Sequence, residues 1–245
     1  MAVKKRPKTL SYGRPPTTKP SEHMSSKQSR AIIRTHHRLE KQKAAAERTH
    51  DSETASKLSL AIAQNGGLKT YQAASKQGQS TLRGGDSSQL LVTWLLDLHI
   101  LAPQTPAPNP LRVLEIGALS TKNAISRFPP SVLHVTRIDL HSQAPGITQQ
   151  DFMQRPLPTS SDEAFNILSL SLVLNYVPTP ASRGAMLQRT RHFLLPGGLL
   201  FLVLPLACVQ NSRYLDEEGL VGMMGGLGYG VVRSKVAKKL VYYLF

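Results

Sequence analysis

The sequence predicts an α/β protein: a mostly parallel sheet with helices over residues 111–245, preceded by a helical segment and a basic arm. Three observations carry that reading. From Leu111 onward, strand-like apolar runs alternate with helix-like stretches, the pattern of a parallel sheet with crossover helices. Pro103, Pro106, Pro108 and Pro110 fall close together and set that region apart from what precedes it. The net charge of +15 is also uneven: residues 1–50 hold 13 Lys and Arg against 3 Asp and Glu, and residues 51–245 hold 17 against 12. The chain therefore divides into a basic arm (1–50), a helical packing or substrate segment (51–102), a proline-rich linker (103–110) and an α/β domain (111–245).

The arm opens with Met1–Pro20, where Lys4, Lys5, Arg6, Lys8, Arg14 and Lys19 stand among four prolines. Such a stretch buries too little apolar surface to offset its ordering entropy, so disorder is expected. Residues 24–48 differ, because Ala31, Ile32, Ile33, Leu39 and Ala44–Ala46 are interleaved with bases. Arg30, Arg34, Arg38 and Lys41 fall at i, i+4, i+8 and i+11, one face of a helix. Like charges so aligned repel unless an anion neutralises them, which points to phosphate contact or a nuclear address; a merely solvated face is the alternative. Nothing in this stretch reads base sequence. Cys208 is the single cysteine, so an internal disulfide framework and a cysteine zinc finger are excluded. No apolar run reaches membrane-spanning length, and Met1–Pro20 has no apolar core of a secretory leader, so a soluble intracellular protein with a polyanionic partner is expected.

Residues 51–101 read as three helices: Ser52–Gln64, a break at Gly66-Gly67, Leu68–Lys76, and then Ser87–Leu101. Asp86, Ser87 and Ser88 suit the start of the last one. Its Leu90, Leu91, Trp94, Leu95 and Leu98 form an apolar face that fits beneath the next domain. The polar run Tyr71–Gln79, followed by Arg83-Gly84-Gly85-Asp86-Ser87-Ser88, is too polar for core. It is either a capped turn or an anion-binding turn at a helix start.

In the α/β domain the first strand is Leu111–Ile116, closed by Gly117; the second is Leu133–Ile138, closed by Asp139; a third turn carries Gln150-Asp151-Phe152. A fourth strand, Phe165–Leu174, runs into Asn175-Tyr176-Val177-Pro178. Helix Pro180–Leu195, the turn Leu195-Pro196-Gly197-Gly198, strand Leu199–Leu204, a helix near Glu217–Leu227 and strands Val231–Val236 and Lys239–Phe245 complete the chain. That final strand is expected to lack flanking structure, as in an incomplete gene model. Ligands of such sheets sit at the carboxyl ends of the strands. Gly117 lets backbone approach a ligand closely. Asp139 offers two oxygens to a pair of ribose hydroxyls. Asp151 suits an exocyclic amine, with Phe152 against an adenine ring. No metal constellation appears, since His36, His37 and His50 sit among bases without further ligands at suitable spacing.

Val113–Gly117, Ile138-Asp139-Leu140, Gln150-Asp151-Phe152, Ser171–Pro178 and Leu195–Gly198 together resemble the motifs of class I S-adenosylmethionine (SAM)-dependent methyltransferases, which have a Rossmann-like fold. With Tyr71–Gln79 and Arg83–Ser88, the chain is similar over residues 60–245 to the fungal 25S ribosomal RNA adenine-N1 methyltransferase family. That resemblance implies SAM as cofactor, an adenine N1 in large-subunit rRNA of a pre-ribosome as acceptor, and a location in the nucleus and nucleolus. It makes Gly117 and Asp139 cofactor-binding positions, with Asp151 and Phe152 beside them. Asn175 and Tyr176 become catalytic candidates, Asn175 on the base edge and Tyr176 stacked on its face; a strand-end cap and a core tyrosine are the alternatives. A monomer without membrane association is expected, and removal of residues 1–48 is expected to leave the cofactor site intact. The glycine loop departs from the usual pattern, since Gly117-Ala118-Leu119-Ser120-Thr121-Lys122-Asn123 keeps only its first glycine, and Ser120 is expected to compensate. Two other functions fit the same features: a SAM-binding sensor that transfers nothing, and a methyltransferase acting on another RNA or on protein.

Overall fold

A computed structural model describes residues 24–78, 85–101, 109–142, 144–210 and 215–245. Met1–Pro20, Arg83 and most of the proline-rich linker lie outside the described residues. Four helices come first: α1 (Ser26–Arg48), α2 (Ser52–Gln64), α3 (Gly67–Gly78) and α4 (Ser88–Asp97). Then follow β1 (Leu111–Ile116), β2 (Leu133–Asp139), β3 (Thr148–Gln149), β4 (Phe165–Ser171), α5 (Pro180–Phe193), β5 (Leu194–Pro205), α6 (Ala207–Gln210), α7 (Glu217–Gly226), β6 (Arg233–Val236) and β7 (Leu240–Leu244). Among the described residues no helix is long and apolar enough to cross a membrane.

The helices start where short polar side chains take up free backbone donors. Ser25 accepts from Gln28 N–H, Asp51 from Thr54 N–H, Thr179 from Ser182 N–H, and Asp216 from Gly219 N–H. Pro180 occupies the first turn of α5, where its missing donor costs nothing.

The seven strands lie in the order β3-β2-β1-β4-β5-β7-β6. The first five run parallel, and β7 is inserted antiparallel between β5 and β6. The strand expected to lack flanking structure is therefore paired on both sides. Alternation along the strands feeds two cores. Leu114, Leu168, Leu170, Leu202 and Tyr243 pack towards α5 and α7. Val113, Ile167, Phe201, Val203 and Leu244 pack towards α4, whose Leu91 and Leu95 are fully buried and whose Trp94 meets Phe201 edge-on. Burying each of those two leucines contributes about 2 kcal/mol.

Several boundaries differ from the sequence reading. Helix α4 stops at Asp97 rather than Leu101, because His99 takes a positive φ of 56° that no helix continues through. Strand β4 ends at Ser171 rather than Leu174. Leu172 adopts φ 57°, a strained conformation for a leucine, and its N–H is held by Val203 O at 2.9 Å. Helix α5 ends at Phe193, and β5 starts one residue later. The Leu195–Gly198 turn sits inside β5 as an irregularity in its pairing with β4, with Gly197 at φ 73°. The third strand is only two residues long, and β6 begins at Arg233 rather than Val231.

Candidate functional site

The strand order reverses between β1 and β4, so the crevice where ligands bind opens at their carboxyl ends. Two clefts meet there. One, of about 520 Å³, is lined by Gly117, Asp139, Asp151 and Phe152 from the strand ends, by Tyr176, and by His36, His37 and Tyr71 from the helices. The other, of about 450 Å³, is lined by Asp86, Ser87, Glu115, Ser120, Asn123 and Ser171 among others. Ile116, Gly117 and Leu119 border both, so the two form one groove folded over the first strand's end. Their sizes are those of small-molecule sites.

Gly117 has φ 76°, and a Cβ on it would lie 2.4 Å from Val173 Cγ2. Glycine is thus required here by conformation and by the neighbouring strand-end residue, as well as by any ligand. Asp139 is held by His141 N–H at 2.8 Å on one oxygen; burial raises its pKa above the usual carboxylate value, with that hydrogen bond opposing. Asp151 accepts from Met153 N–H at 2.8 Å through the same two-residue turn. Each carboxylate is thereby oriented while its other oxygen stays available, and both face the larger cleft. Phe152 is 3% exposed and packs on Phe193 at 5.1 Å between ring centroids, so it forms the cleft floor as a core residue.

The smaller cleft is organised by Asp86 and Glu115. Asp86 Oδ1 accepts from Ser88 N–H and Oγ–H, whereas its Oδ2 accepts from Ala124 N–H at 2.8 Å, just beyond the glycine loop. Ser87 and Ser171 hydroxyls are 2.7 Å apart, tying the start of α4 to the end of β4. Asp86 therefore ties the start of α4 to the residue that follows the Gly117–Asn123 loop. Ser120, expected to compensate for the missing glycines, accepts from Lys122 N–H in a local turn at the cleft wall. Glu115 lies opposite Arg137 in the β1–β2 register, 3.4 Å from its Nε, and accepts from Asn123 Nδ2 at 2.6 Å. Burial nevertheless pushes its pKa up to about 7, outweighing Arg137.

Asn175 and Tyr176 sit in a single turn of 3₁₀ helix, Leu174–Tyr176, that the strained Leu172 starts. Asn175 does not line either cleft, but its Oδ1 is buried without a partner, and its carbonyl accepts from Lys41 Nζ at 3.5 Å. Tyr176 lines the larger cleft, and one face of its ring is covered by His37, with centroids 3.7 Å apart and planes 16° from parallel. His36 stacks in turn on Tyr71 at 4.5 Å. Burial, then His36 and Lys41, lowers the His37 pKa to about 4, so its imidazole is neutral near pH 7. Its Nε2 is buried and unpartnered, like His36 Nδ1. Three buried polar atoms around this aromatic cluster thus have bonding capacity that a ligand or water could take up.

Sequence reasoning brought Gly117, Asp139, Asp151, Phe152 and Tyr176 to one cleft. It missed His36, His37 and Tyr71 as lining residues, Lys41 and Arg183 at the Asn175 loop, and the Asp86 tether. Of these, Tyr71 and Asp86 carried a signal inside the polar motif 71–88, and Lys41 carried one as the end of the basic row that starts at Arg30. Helix α1 supplies His36, His37 and Glu40 to the wall of the larger cleft, a contribution that the sequence reading left out of the site. Among the described residues no three His, Cys, Asp or Glu side chains converge as a metal group.

A five-strand parallel sheet with a final antiparallel hairpin, a glycine turn after β1 and an acid closing β2 define the class I SAM-dependent methyltransferase fold. More narrowly, residues 56–245 match the family described as 25S rRNA (adenine(2142)-N(1))-methyltransferase, Bmt2, and the chain belongs to that family. A Saccharomyces cerevisiae 25S rRNA (adenine(2142)-N(1))-methyltransferase is 44% identical over 180 residues, 74% of this chain and 51% of that protein. A Schizosaccharomyces pombe 25S rRNA adenine-N(1) methyltransferase is 39% identical over 187 residues, covering 74% of this chain and 67% of that one. The matched part thus spans about half the length of the first relative. Among solved structures, a 1,6-didemethyltoxoflavin-N1-methyltransferase from Burkholderia thailandensis covers 71% of this chain and 85% of its own, at 14% identity and a TM-score of 0.48.

Proposed function

We propose that this chain transfers a methyl group from SAM to N1 of an adenine in large-subunit rRNA. One observation supports the reading most: Asp139 and Asp151 stand on one side of Gly117 and the Asn175-Tyr176 turn on the other, at the switch point of the sheet. The groove fits the cofactor. Asp139 and Asp151 line the larger cleft, each with one oxygen oriented by a backbone bond, which suits them to ribose hydroxyls and to the adenine amine. Phe152 floors the adenine side, and the Gly117–Asn123 loop borders the amino-acid side. When bound, SAM supplies a methyl group on a sulfonium, which an adenine N1 lone pair takes while sulfur keeps the electron pair of the broken bond. Adenine N1 carries no proton near neutral pH, so the protein's task is alignment rather than proton removal. Asn175 Oδ1, buried and unpartnered outside both clefts, accepts from the amine of the acceptor adenine once its side chain turns into the groove. Tyr176 stacks on the base face once His37 leaves it.

The substrate in this reading is a large-subunit pre-ribosome, the enzyme acts as a monomer, and its place is the nucleolus within the nucleus. Tritiated SAM incubated with the full chain and unmodified large-subunit rRNA tests it. Label in RNA, mapped to N1-methyladenosine, is the expected result. Tight SAM binding without label in RNA would instead favour the sensor, a reading supported by His37 covering Tyr176.

A further inference from the structure

We infer that Lys41 and Arg183 form a seat for an RNA phosphate beside the Asn175-Tyr176 turn, and that Arg38, Arg34 and Arg30 continue it along α1. The inference deepens the function proposed above and rests on it. Lys41 comes from α1 and Arg183 from α5, yet both reach the same four-residue loop. Lys41 Nζ donates to Asn175 O at 3.5 Å, Arg183 Nε to Val177 O at 2.9 Å, and Arg183 Nη2 to Pro178 O at 3.4 Å. Two cations on the carbonyls of one loop leave charge that those neutral oxygens do not cancel. Among the described residues neither forms an ion pair with a carboxylate.

The surroundings sharpen this imbalance. The Lys41 pKa is lowered by burial and next by Arg183, so the two cations repel across the loop. The Cys208 thiol is held up by burial, although Arg183 and Lys41 pull it down, and a protonated thiol offers no counter-charge. An anion between Lys41 and Arg183 would relieve the repulsion.

Helix α1 argues that the anion is one link of a chain. Of its acids, Glu47 lies 3.6 Å from Lys43, and Glu40, 3.9 Å from His36, forms no ion pair with any member of the row. Arg30, Arg34 and Arg38 are exposed and make no ion pair among the described residues. From Arg30 to Lys41 the row rises about 16 Å along the helix. A polymer with one phosphate per nucleotide matches a row of cations that ends at a tyrosine suited to stacking. A small anion would need only the last pair.

Salt dependence separates this seat from a structural clamp. Binding of a large-subunit rRNA fragment to the full chain is followed by fluorescence anisotropy at rising KCl, for wild type, Lys41→Gln, Arg183→Gln, the double variant, Arg34→Gln and Lys41→Arg. Each neutralisation should lower the slope of log K against log salt by about 0.7, and the double by about twice that. Lys41→Arg should restore the slope, and SAM affinity and melting temperature should stay at wild-type values in every variant. Methyl transfer by the double variant should fall through KM for RNA. A folded double variant with the wild-type slope would overturn the seat while leaving the proposed function standing. A slope lost together with the melting transition, and not restored by Lys41→Arg, would overturn it in favour of a clamp. A wild-type chain that binds no RNA at any salt would overturn both.

Discussion

The two sides of the groove are built by different means. On the side proposed for the cofactor the candidates lie at or just past strand ends: Gly117 after β1, Asp139 at the end of β2, Asp151 just after β3. On the acceptor side the turn that follows β4 is completed by α1, whose Lys41 reaches Asn175 across 134 positions of sequence. Each side also buries a titratable group whose pKa is shifted against its charged form. Glu115 has its pKa raised to about 7, and His37 has its own lowered to about 4, burial being the main cause of both. The lesson is that the sheet presets the side proposed for the cofactor, whereas the side proposed for the acceptor base depends on a helix that has to stay docked.

The sharpest way to break this division is Asp139→Ala. It removes an oriented carboxylate, and hydrogen bonds to charged groups contribute about 1.5–3 kcal/mol each. SAM affinity measured by calorimetry should fall by more than about 100-fold; retained affinity would refute the assignment of the cofactor side. Next comes Gly117→Ala, which places a methyl group 2.4 Å from Val173 Cγ2 at a φ of 76°. A loss of roughly tenfold in SAM affinity is expected from strain of about 1–2 kcal/mol. Adding Val173→Ala should recover part of it. Full recovery would mean that the backbone conformation does not matter.

The two hidden groups should pull stability in opposite directions as pH changes. Glu115 keeps its proton longer in the folded state, so its contribution is complete below the unfolded value near 4.5 and is lost as pH rises towards 7. His37 resists protonation when folded, so stability is lost as pH falls from 6.5 towards 4. In thermal melts Glu115→Gln should flatten the alkaline side of the profile, by up to about 3 kcal/mol. His37→Phe should flatten the acid side less completely, because burial lowers the His36 pKa too. Parallel changes in both variants would contradict the assigned causes. The smallest expected effect is on the acceptor side. His37→Ala should free the Tyr176 face and lower KM for rRNA about fivefold with kcat unchanged, since a stacked aromatic pair contributes about 1 kcal/mol. A raised KM would instead make His37 part of the base's binding surface.

This asymmetry also explains what the sequence disclosed. Asp139 was legible because an acid directly after an apolar run needs only its own strand to reach the groove. The parallel sheet followed from alternation, and the position of α4 from Leu91, Trp94 and Leu95. His37 was illegible: a histidine among arginines looks like one more solvated base, and only the docking of α1 sets it on Tyr176. Arg183 lies in an unremarkable helix whose first turn happens to face the same loop. The early end of β4 was hidden because Leu172 is a good strand residue, and its strain comes from the chain's need to turn into Asn175.

Asp86 gives the compositional boundary at the proline-rich segment a different meaning. Its carboxylate sits before that segment, yet it fastens Ala124, which lies after it and next to the cofactor loop. A fragment begun at Leu111 would carry all seven strands and leave behind the fastener of its own binding loop. The smallest portable unit of this chain therefore starts upstream of Asp86, where it keeps both that hydrogen bond and the α4 side chains of the core.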